Sequence, residues 1–313
     1  MNKNSKNIKV YFQDIRKLTE SYLDKTINDK TIKKELKGGK RLRQTLSLLT
    51  YKSFTCGKET KKEFERAMQG TVSMELAHTT SLIHDDIIDK DIYRRGKYAL
   101  YLEKGMSDAV LCGHKMLVLG YQIALEHGKE FAKLFTDTWQ NAIAGEIMEI
   151  NFNDRKKRIW PTSDLYAYYM NINDMKTACL FGSACKLAAM EANIFDKTAE
   201  KIEEFGLEIG RAYQLTDDLI DLKRGEFIDS IILPIIEKIE NIKLKKVKIN
   251  KRNLKNKIKK NWKKIEDFYN SKIEEHITNA EKIIKEIDFP NSYYKDLLIQ
   301  APRYLIEVKS MEN

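Results

Sequence analysis

Proline is scarce, 4 in 313 residues, so little interrupts a helix. No Gly-, Pro- or Ser-rich stretch divides the chain either, and the length is read as one domain over 1–313. The four cysteines, Cys56, Cys112, Cys179 and Cys185, contain no CxxC spacing, which argues against a zinc ribbon or a redox pair. They are expected reduced, as small buried hydrophobes. There is no signal-peptide pattern and no apolar run of 18 or more residues, so a soluble, cytoplasmic chain is expected. No Ser/His/Asp or Cys/His constellation stands out, so nothing points to a protein nucleophile.

One segment lacks acid. Residues 243–264, KLKKVKINKRNLKNKIKKNWKK, hold 12 Lys/Arg and no Asp/Glu, which leaves the rest of the chain at 10 − 12 = −2. The net charge of +10 is therefore local, and a solvated Lys-rich face is the plainest reading of it. Peripheral contact with anionic lipid comes second, since a Lys or Arg near such a surface contributes about 1 kcal/mol. Nucleic-acid binding comes last, because the segment offers one aromatic, Trp262, for base stacking.

What is present is helix-forming sequence with a hydrophobic content of 42%. An all-α protein is predicted, with helices near 6–28, 40–56, 60–90, 106–128, 130–152, 164–192, 196–223, 232–244, 253–283 and 292–309. Gly38-Gly39 breaks the chain before a helix starting near Lys40, Arg94-Arg95-Gly96 ends the next long helix, and Ser163 is a candidate N-cap.

Within this pattern, Asp85-Asp86-Ile87-Ile88-Asp89 and Asp217-Asp218-Leu219-Ile220-Asp221 repeat one form about 130 residues apart. Carboxylates at i, i+1 and i+4 share a helical face, where each like-charge pair costs about 0.2–0.5 kcal/mol unless neutralised. A divalent cation would neutralise them. Mg²⁺ prefers hard oxygen ligands and sits between one or two carboxylates and a substrate phosphate, so the pair of triplets suggests a magnesium-held diphosphate. The first triplet follows Leu82 and Ile83 and leads into Ile87 and Ile88, which suits a cleft better than an open surface.

Gly38-Gly39-Lys40-Arg41-Leu42-Arg43, SLIHDDIID with RRG, Lys176-Thr177 and Tyr213-Gln214-Leu215-Thr216-Asp217-Asp218 resemble, in order and spacing, the motifs of trans-polyprenyl diphosphate synthases of the geranylgeranyl or longer-chain type. The resemblance spans roughly residues 35 to 240. It implies a class I isoprenoid synthase fold, a bundle of long antiparallel helices around a deep central cavity, in a homodimer or a heteromer. It further implies three Mg²⁺ ions, two held by Asp85, Asp86 and Asp89 and one by Asp217, Asp218 and Asp221, on opposite walls around an allylic diphosphate. Arg94 and Lys176 would bind that diphosphate, Thr177 and Gln214 would line the reacting carbons, and Lys40, Arg43, His78 and Arg95 would take isopentenyl diphosphate. The implied reaction ionises the allylic diphosphate, adds isopentenyl diphosphate to the cation and loses a proton, giving an all-trans chain five carbons longer.

In this family a Phe or Tyr five positions before the first Asp stops the product early. Here that position is Thr80, so a product of C20 or longer is expected, with Met74, Ala77, Ser81, Leu117 and Tyr121 lining or flooring its path. Three departures stand out. The loop after Asp221 is cut to LKRGEFI with DSIILP behind it, without the usual lysines; Gln44 replaces a Pro; and Gly113-His114 replaces Gly-Asp. The loop leaves open a regulatory or chain-length-setting subunit of a heteromeric synthase. A terpene cyclase is disfavoured, because the second motif is DDxxD and the residues for a second diphosphate are retained.

Overall fold

The computed structural model describes residues 7–153, 164–225, 229–241 and 251–311. These residues group into two compact units. The first comprises residues through Trp139, Ser183–Glu203 and Ile287–Ala301, and the second Gln140–Gly182, Glu204–Glu286 and Pro302 onward. Four of their five boundaries fall inside helices, and the fifth, between Glu286 and Ile287, falls between two helices.

The first unit is organised around α4 (Lys61–Asp89), preceded by α1 (Ile8–Thr26), α2 (Lys30–Leu36) and α3 (Leu42–Thr55). Thr60 and Glu63 start α4 with a capping box, satisfying backbone N–H groups that a helix start otherwise leaves unpaired. Residues on every face of α4 are buried, from Ala67 and Val72 through Leu76 to Ile83, as expected of a central helix rather than a surface one. After α4 come a two-stranded hairpin, β1 (Tyr93–Arg94) and β2 (Lys97–Tyr98), the short α5 (Leu100–Lys104) and α6 (Met106–Glu126).

α6 lies against α4 through its small residues Ala109, Gly113, Gly120 and Ala124, all buried. The approach is close: a Cβ on Gly120 would fall 2.9 Å from the Ser73 carbonyl oxygen, and one on Gly113 2.5 Å from His84 Nε2. Leu76 and Met116 are fully enclosed along this seam, and full burial of such side chains contributes about 1.5–3 kcal/mol each. The other face of α6 carries Leu111, Val118 and Leu125, seven residues apart and 63%, 57% and 51% exposed.

Along the rest of the chain run α7 (Lys129–Asn153), α8 (Leu165–Asn173), a π-helical turn (Asp174–Ala178), α9 (Cys179–Glu191), α10 (Lys197–Arg224), α11 (Asp229–Glu240), α12 (Lys251–Lys285) and α13 (Tyr293–Ser310). In the second unit Leu215, Leu219 and Leu222 of α10 meet Ile232, Ile235 and Ile236 of α11 and Ile258, Ile265, Tyr269, Ile273 and Ile277 of α12. The 7-4-4-4 spacing on α12 draws an apolar stripe along an otherwise charged helix, and that stripe docks it.

The lysine-rich segment is thereby partly explained. Residues 242–250 lie outside the described residues, but from Lys251 onward the segment forms the first turns of α12, with Ile258 in the core and Trp262 packed against it. The aromatic side chain considered for base stacking is thus a packing residue. No helix among the described residues is long and apolar enough to cross a membrane.

The structure differs from the sequence expectations at several joints. α2 lies where no element was predicted; it is 7 residues long and starts at Asp29, whose carboxylate accepts from Thr31 N (2.9 Å) and Ile32 N (3.0 Å). α3 begins at Leu42 rather than Lys40, because Gly38 (φ 85°) and Arg41 (φ 57°) both take left-handed backbone conformations. α4 stops at Asp89 with Lys90 in the left-handed region (φ 61°), and Arg94-Arg95-Gly96 forms the hairpin instead of ending the helix. Ser163 lies outside the described residues, and the N-cap of α8 is Asp164, which accepts from Ala167 N at 3.0 Å. The helix expected over 164–192 is interrupted by the π-turn.

Candidate active site

The first aspartate triplet closes α4. Ile83 is buried and Ile87 packs against the same core cluster, which turns Asp86 inward to 2% exposure while Asp89 stays exposed. The hairpin then brings Arg94 back onto α4, its Nε donating to Asp86 Oδ1 at 2.6 Å and its Nη2 to Asp91 Oδ2 at 2.9 Å. Burial outweighs this guanidinium and raises the Asp86 pKa above the usual carboxylate value. Burial also works against the charge of Arg94, yet Asp86 and Asp91 hold its pKa above the ordinary value. Asp86 therefore sits where added positive charge would be favourable.

The basic residues of this unit gather at the start of α3. Gly39 lets the Arg41 guanidinium lie close to the backbone, since a Cβ there would fall 2.7 Å from Arg41 Nη1. Arg41 is buried, pairs with Glu75 and with Glu20 (2.7 Å), and donates to the Leu36 carbonyl, so it anchors the turn. Lys40 is exposed beside it. One turn on, Arg43 Nη1 lies 3.0 Å from His78 Nε2. Burial, followed by the charges of Arg43, Arg95, Arg41 and Arg94, pushes the His78 pKa well below its usual value. His78 is thus neutral and accepts from Arg43 through Nε2. Arg95, in the turn of the hairpin (φ 54°), donates to the Glu35 carbonyl at 2.9 Å.

Of the residues expected to set product length, Thr80 is fully buried, its hydroxyl donating to Leu76 O (2.9 Å) and lying 3.1 Å from Gly113 O across the α4–α6 seam. Ser81 donates to His78 O at 2.8 Å. Ala77 belongs to a cluster with Ala124, Phe131, Phe135 and Leu187, against which Met74 and Leu117 are partly buried. Tyr121 is 38% exposed, with its ring centroid 6.1 Å from that of Phe135.

The second triplet lies near the C-terminal end of α10, in the second unit. Asp218 is 1% exposed, accepts from the Tyr169 hydroxyl and from Gln214 Nε2 (2.8 Å), and has its pKa raised to about 7. Burial is the largest cause, with the charges of Asp217 and Glu149 adding to it. Gln214 is oriented in turn by Thr177, whose hydroxyl donates to its Oε1 at 2.7 Å. The order Thr177, Gln214, Asp218 is one continuous chain of hydrogen bonds. Lys176 pairs with Glu149 (2.7 Å) and Glu146 (2.5 Å) of α7.

Lys176 and Thr177 both sit in the π-turn, a wide helical turn common at functional sites. Two glycines allow the neighbouring helices to press on it. A Cβ on Gly145 of α7 would fall 2.9 Å from Lys176 N, and one on Gly210 of α10 2.5 Å from Ala178 Cα. Arg211 of α10 clamps its first residue, with Nε 2.7 Å and Nη2 3.1 Å from the two carboxylate oxygens of Asp174, and also meets Glu204 and Glu208.

Sequence reasoning missed Asp91, Glu146, Glu149, Tyr169 and Lys309 as neighbours of the site residues. Each meets them through folding rather than local spacing, apart from Asp91, which stands three residues before Arg94. Burial raises the Cys112 thiol to about 11 and the Cys185 thiol to about 12, which keeps both protonated at neutral pH.

Among the described residues no group of three or more His, Cys, Asp or Glu side chains is placed to hold a metal alone. The donors nevertheless suit a hard cation that takes one or two carboxylates and completes its shell with water and phosphate. Each triplet offers carboxylate oxygen, and each contains one aspartate whose pKa is raised chiefly by burial.

The sequence profile of the polyprenyl synthetase family matches residues 25–229, which includes both triplets and the π-turn. The chain belongs to the polyprenyl synthetase family.

Among its relatives, the geranylfarnesyl diphosphate synthase of Natronomonas pharaonis is 30% identical over 202 residues, 59% of this chain and 57% of that protein. The geranylgeranyl diphosphate synthase of Methanosarcina mazei is 28% identical over 195 residues, 60% of this chain and 56% of that protein. The aligned part thus spans a little over half the length of these curated relatives. The geranylgeranyl pyrophosphate synthetase of Geoglobus acetivorans superposes with a TM-score of 0.76 at 22% identity, covering 97% of this chain and 100% of that one. The heptaprenyl diphosphate synthase of Staphylococcus aureus gives 0.77 at 21% identity, covering 95% and 98%. The fold is the all-α isoprenoid synthase fold.

Two departures from the family pattern have visible consequences. Gln44, in place of the usual proline, is buried, and its amide has no partner among the described residues, which costs about 1–3 kcal/mol for such a group. Lys223, the first basic residue after the second triplet, is engaged by Glu266 at 2.9 Å. Residues 226–228 of the shortened loop lie outside the described residues.

Proposed function

We propose that this polyprenyl synthetase is a Mg²⁺-dependent prenyltransferase that condenses isopentenyl diphosphate with an allylic diphosphate to give an all-trans product of C20 or longer, releasing diphosphate. The observation that carries the reading is that each acidic repeat buries one of its aspartates, with a basic pair elsewhere at the start of α3. Asp86 and Asp218 are buried with raised pKa values, while Arg43 and the neutral His78 form a distinct basic site at the start of α3.

In this reading Asp85, Asp86 and Asp89 hold two Mg²⁺ ions and Asp217, Asp218 and Asp221 a third. When bound, these ions stabilise the negative charge that develops on the departing diphosphate. Arg94 adds a fixed positive charge beside Asp86, and Lys176, steered by Glu146 and Glu149, adds another at the π-turn. Thr177 and Gln214 act through position, because the chain of hydrogen bonds ending on Asp218 sets the direction of the Gln214 amide. Lys40, Arg43 and Arg95 take the second diphosphate. His78 leaves the charge of Arg43 undiminished for that anion, since it is itself uncharged.

A second copy of the chain is the proposed partner. Leu111, Val118 and Leu125 form an exposed row on α6 opposite its α4-facing residues, a pattern suited to another helix. The shortened loop after Asp221 favours, as the second reading, a subunit that needs a different partner chain for turnover.

The test is incubation of the purified protein with Mg²⁺, isopentenyl diphosphate and dimethylallyl, geranyl or farnesyl diphosphate in turn, followed by product sizing. Linear products longer than the primer support the proposal. Cyclic hydrocarbon would indicate a terpene cyclase, and turnover only with an added subunit the second reading. Asp86→Ala and Asp218→Ala are each expected to lower the rate by orders of magnitude.

A further inference from the structure

Each oxygen of Asp218 receives a donor of its own. Gln214 Nε2, one turn earlier on α10, meets Oδ1 at 2.8 Å, and the Tyr169 hydroxyl of α8 meets Oδ2. Tyr169 reaches it because α8 buries Leu165, Tyr169 and Ile172, a 4-3 spacing that turns one face of the helix inward, with Leu165 and Tyr169 in the core of the second unit. Tyr168, the preceding residue, turns to α7 instead: its hydroxyl donates to the Met148 carbonyl at 3.3 Å, and its ring stacks on Phe152 with centroids 5.7 Å apart. Burial, followed by the charge of Asp218, raises the Tyr169 pKa well above the usual value, so the phenol stays a donor while the carboxylate is charged. Donors on both oxygens fix the rotation of the carboxylate about its Cβ–Cγ bond, a torsion that is otherwise broad. A carboxylate has about four acceptor sites, so one donor on each oxygen does not exhaust it.

We propose that Tyr169 is a positioning residue for metal binding at the second triplet, its hydroxyl fixing the plane of the Asp218 carboxylate in the orientation that takes the cation. This rests on the prenyl-transfer reading above, in which Asp218 is a metal ligand. Gln214 alone would hold the carboxylate at one oxygen and leave it to swing about that bond. The two donors also come from different supports, since Gln214 is oriented by Thr177 of the π-turn and Tyr169 is carried by α8. A partner that hydrogen-bonds to a ligating carboxylate contributes about 10–100-fold to metal affinity. A role confined to tying α8 to α10 predicts something else: loss of the hydroxyl would lower stability and leave metal affinity where it is.

The test uses the full-length protein in equilibrium dialysis against Mn²⁺ with inorganic pyrophosphate, and urea unfolding in chelator on the same variants. Asp218→Asn defines the Mn²⁺ sites that depend on this carboxylate. In Tyr169→Phe, which removes the hydroxyl and keeps the ring, those sites are expected to weaken about tenfold or more, while Tyr168→Phe is expected to leave them unchanged. Wild-type Mn²⁺ affinity in Tyr169→Phe, whatever its stability, or an equal loss in Tyr168→Phe, would overturn the proposal. If Tyr169→Phe does not fold, the wild-type protein carries the test: Mg²⁺ with pyrophosphate should change its near-ultraviolet tyrosine absorbance, and Asp218→Asn should lose that change. A spectrum that Mg²⁺ leaves unaltered, or alters equally in Asp218→Asn, would overturn the proposal in the same way. Wild-type protein that binds no Mn²⁺, or Asp218→Asn that binds as much as wild type, would instead overturn the assignment of Asp218 to metal in the prenyl-transfer reading.

Discussion

Asp218→Asn should stabilise the protein in the presence of a chelator and at the same time stop its chemistry. Asp218 is 1% exposed and titrates at about 7, against 3.8 for an ordinary aspartate. Its folded-state pKa is raised, so the folded chain binds this proton more tightly than the unfolded chain. The resulting stability is fully present below pH 3.8 and is lost as the pH rises through 7. A difference of about 3 pH units at 1.36 kcal/mol each corresponds to about 4 kcal/mol, the cost of keeping this carboxylate charged and buried above pH 7.

Asparagine removes the charge and keeps the shape. Its Oδ1 still accepts from Tyr169, and Gln214 can reverse its amide while the Thr177 hydroxyl turns from donor to acceptor. In urea unfolding with chelator, the variant should therefore exceed wild type by up to about 4 kcal/mol at pH 8, and the gain should shrink steadily towards pH 4. Prenyl transfer with Mg²⁺ should be lost over the whole range. A variant no more stable than wild type at pH 8, or a difference that does not change with pH, would refute the argument that burial of this charge sets its pKa.

Three further outcomes follow from other parts of the site. Gly210→Ala places a methyl 2.5 Å from Ala178 Cα, where only backbone can yield; it should cost about 2 kcal/mol in chemical denaturation and lower kcat through displacement of Lys176 and Thr177. Thr80→Phe should shorten the longest product seen by thin-layer chromatography, and an unchanged product distribution would remove Thr80 from the elongation path. His78 has a depressed pKa in the folded state, so its contribution to stability is present above pH 6.5 and lost as the pH falls below it. Wild type should accordingly lose more stability than His78→Gln between pH 7 and pH 5, and parallel curves would contradict this.

Much of the helical layout was legible because its signals are local. Sparse proline, the Thr60/Glu63 capping box and the apolar spacing of α12 report the chain's own neighbours and need no partner to be read. α2 was missed because seven residues carry too little periodicity to register. The π-turn was missed because its cause lies outside it: Gly145 and Gly210 belong to other helices, and in sequence each is only a glycine in a helical run.

The same division runs through the chemistry. The repeated DDxxD spacing, the GGKR turn and the Lys176-Thr177 pair by themselves pointed to the family and supplied the residues proposed above for metal and diphosphate. Spacing along a helix fixes which carboxylates share a face. It does not fix which of them is buried, and burial is what raises Asp86 and Asp218 above their ordinary pKa values and renders His78 neutral. It equally does not supply the partners. Tyr169 and Lys309 stand 49 and 92 residues from the aspartates they meet, so only tertiary packing brings them together and sets the electrostatics of the second triplet.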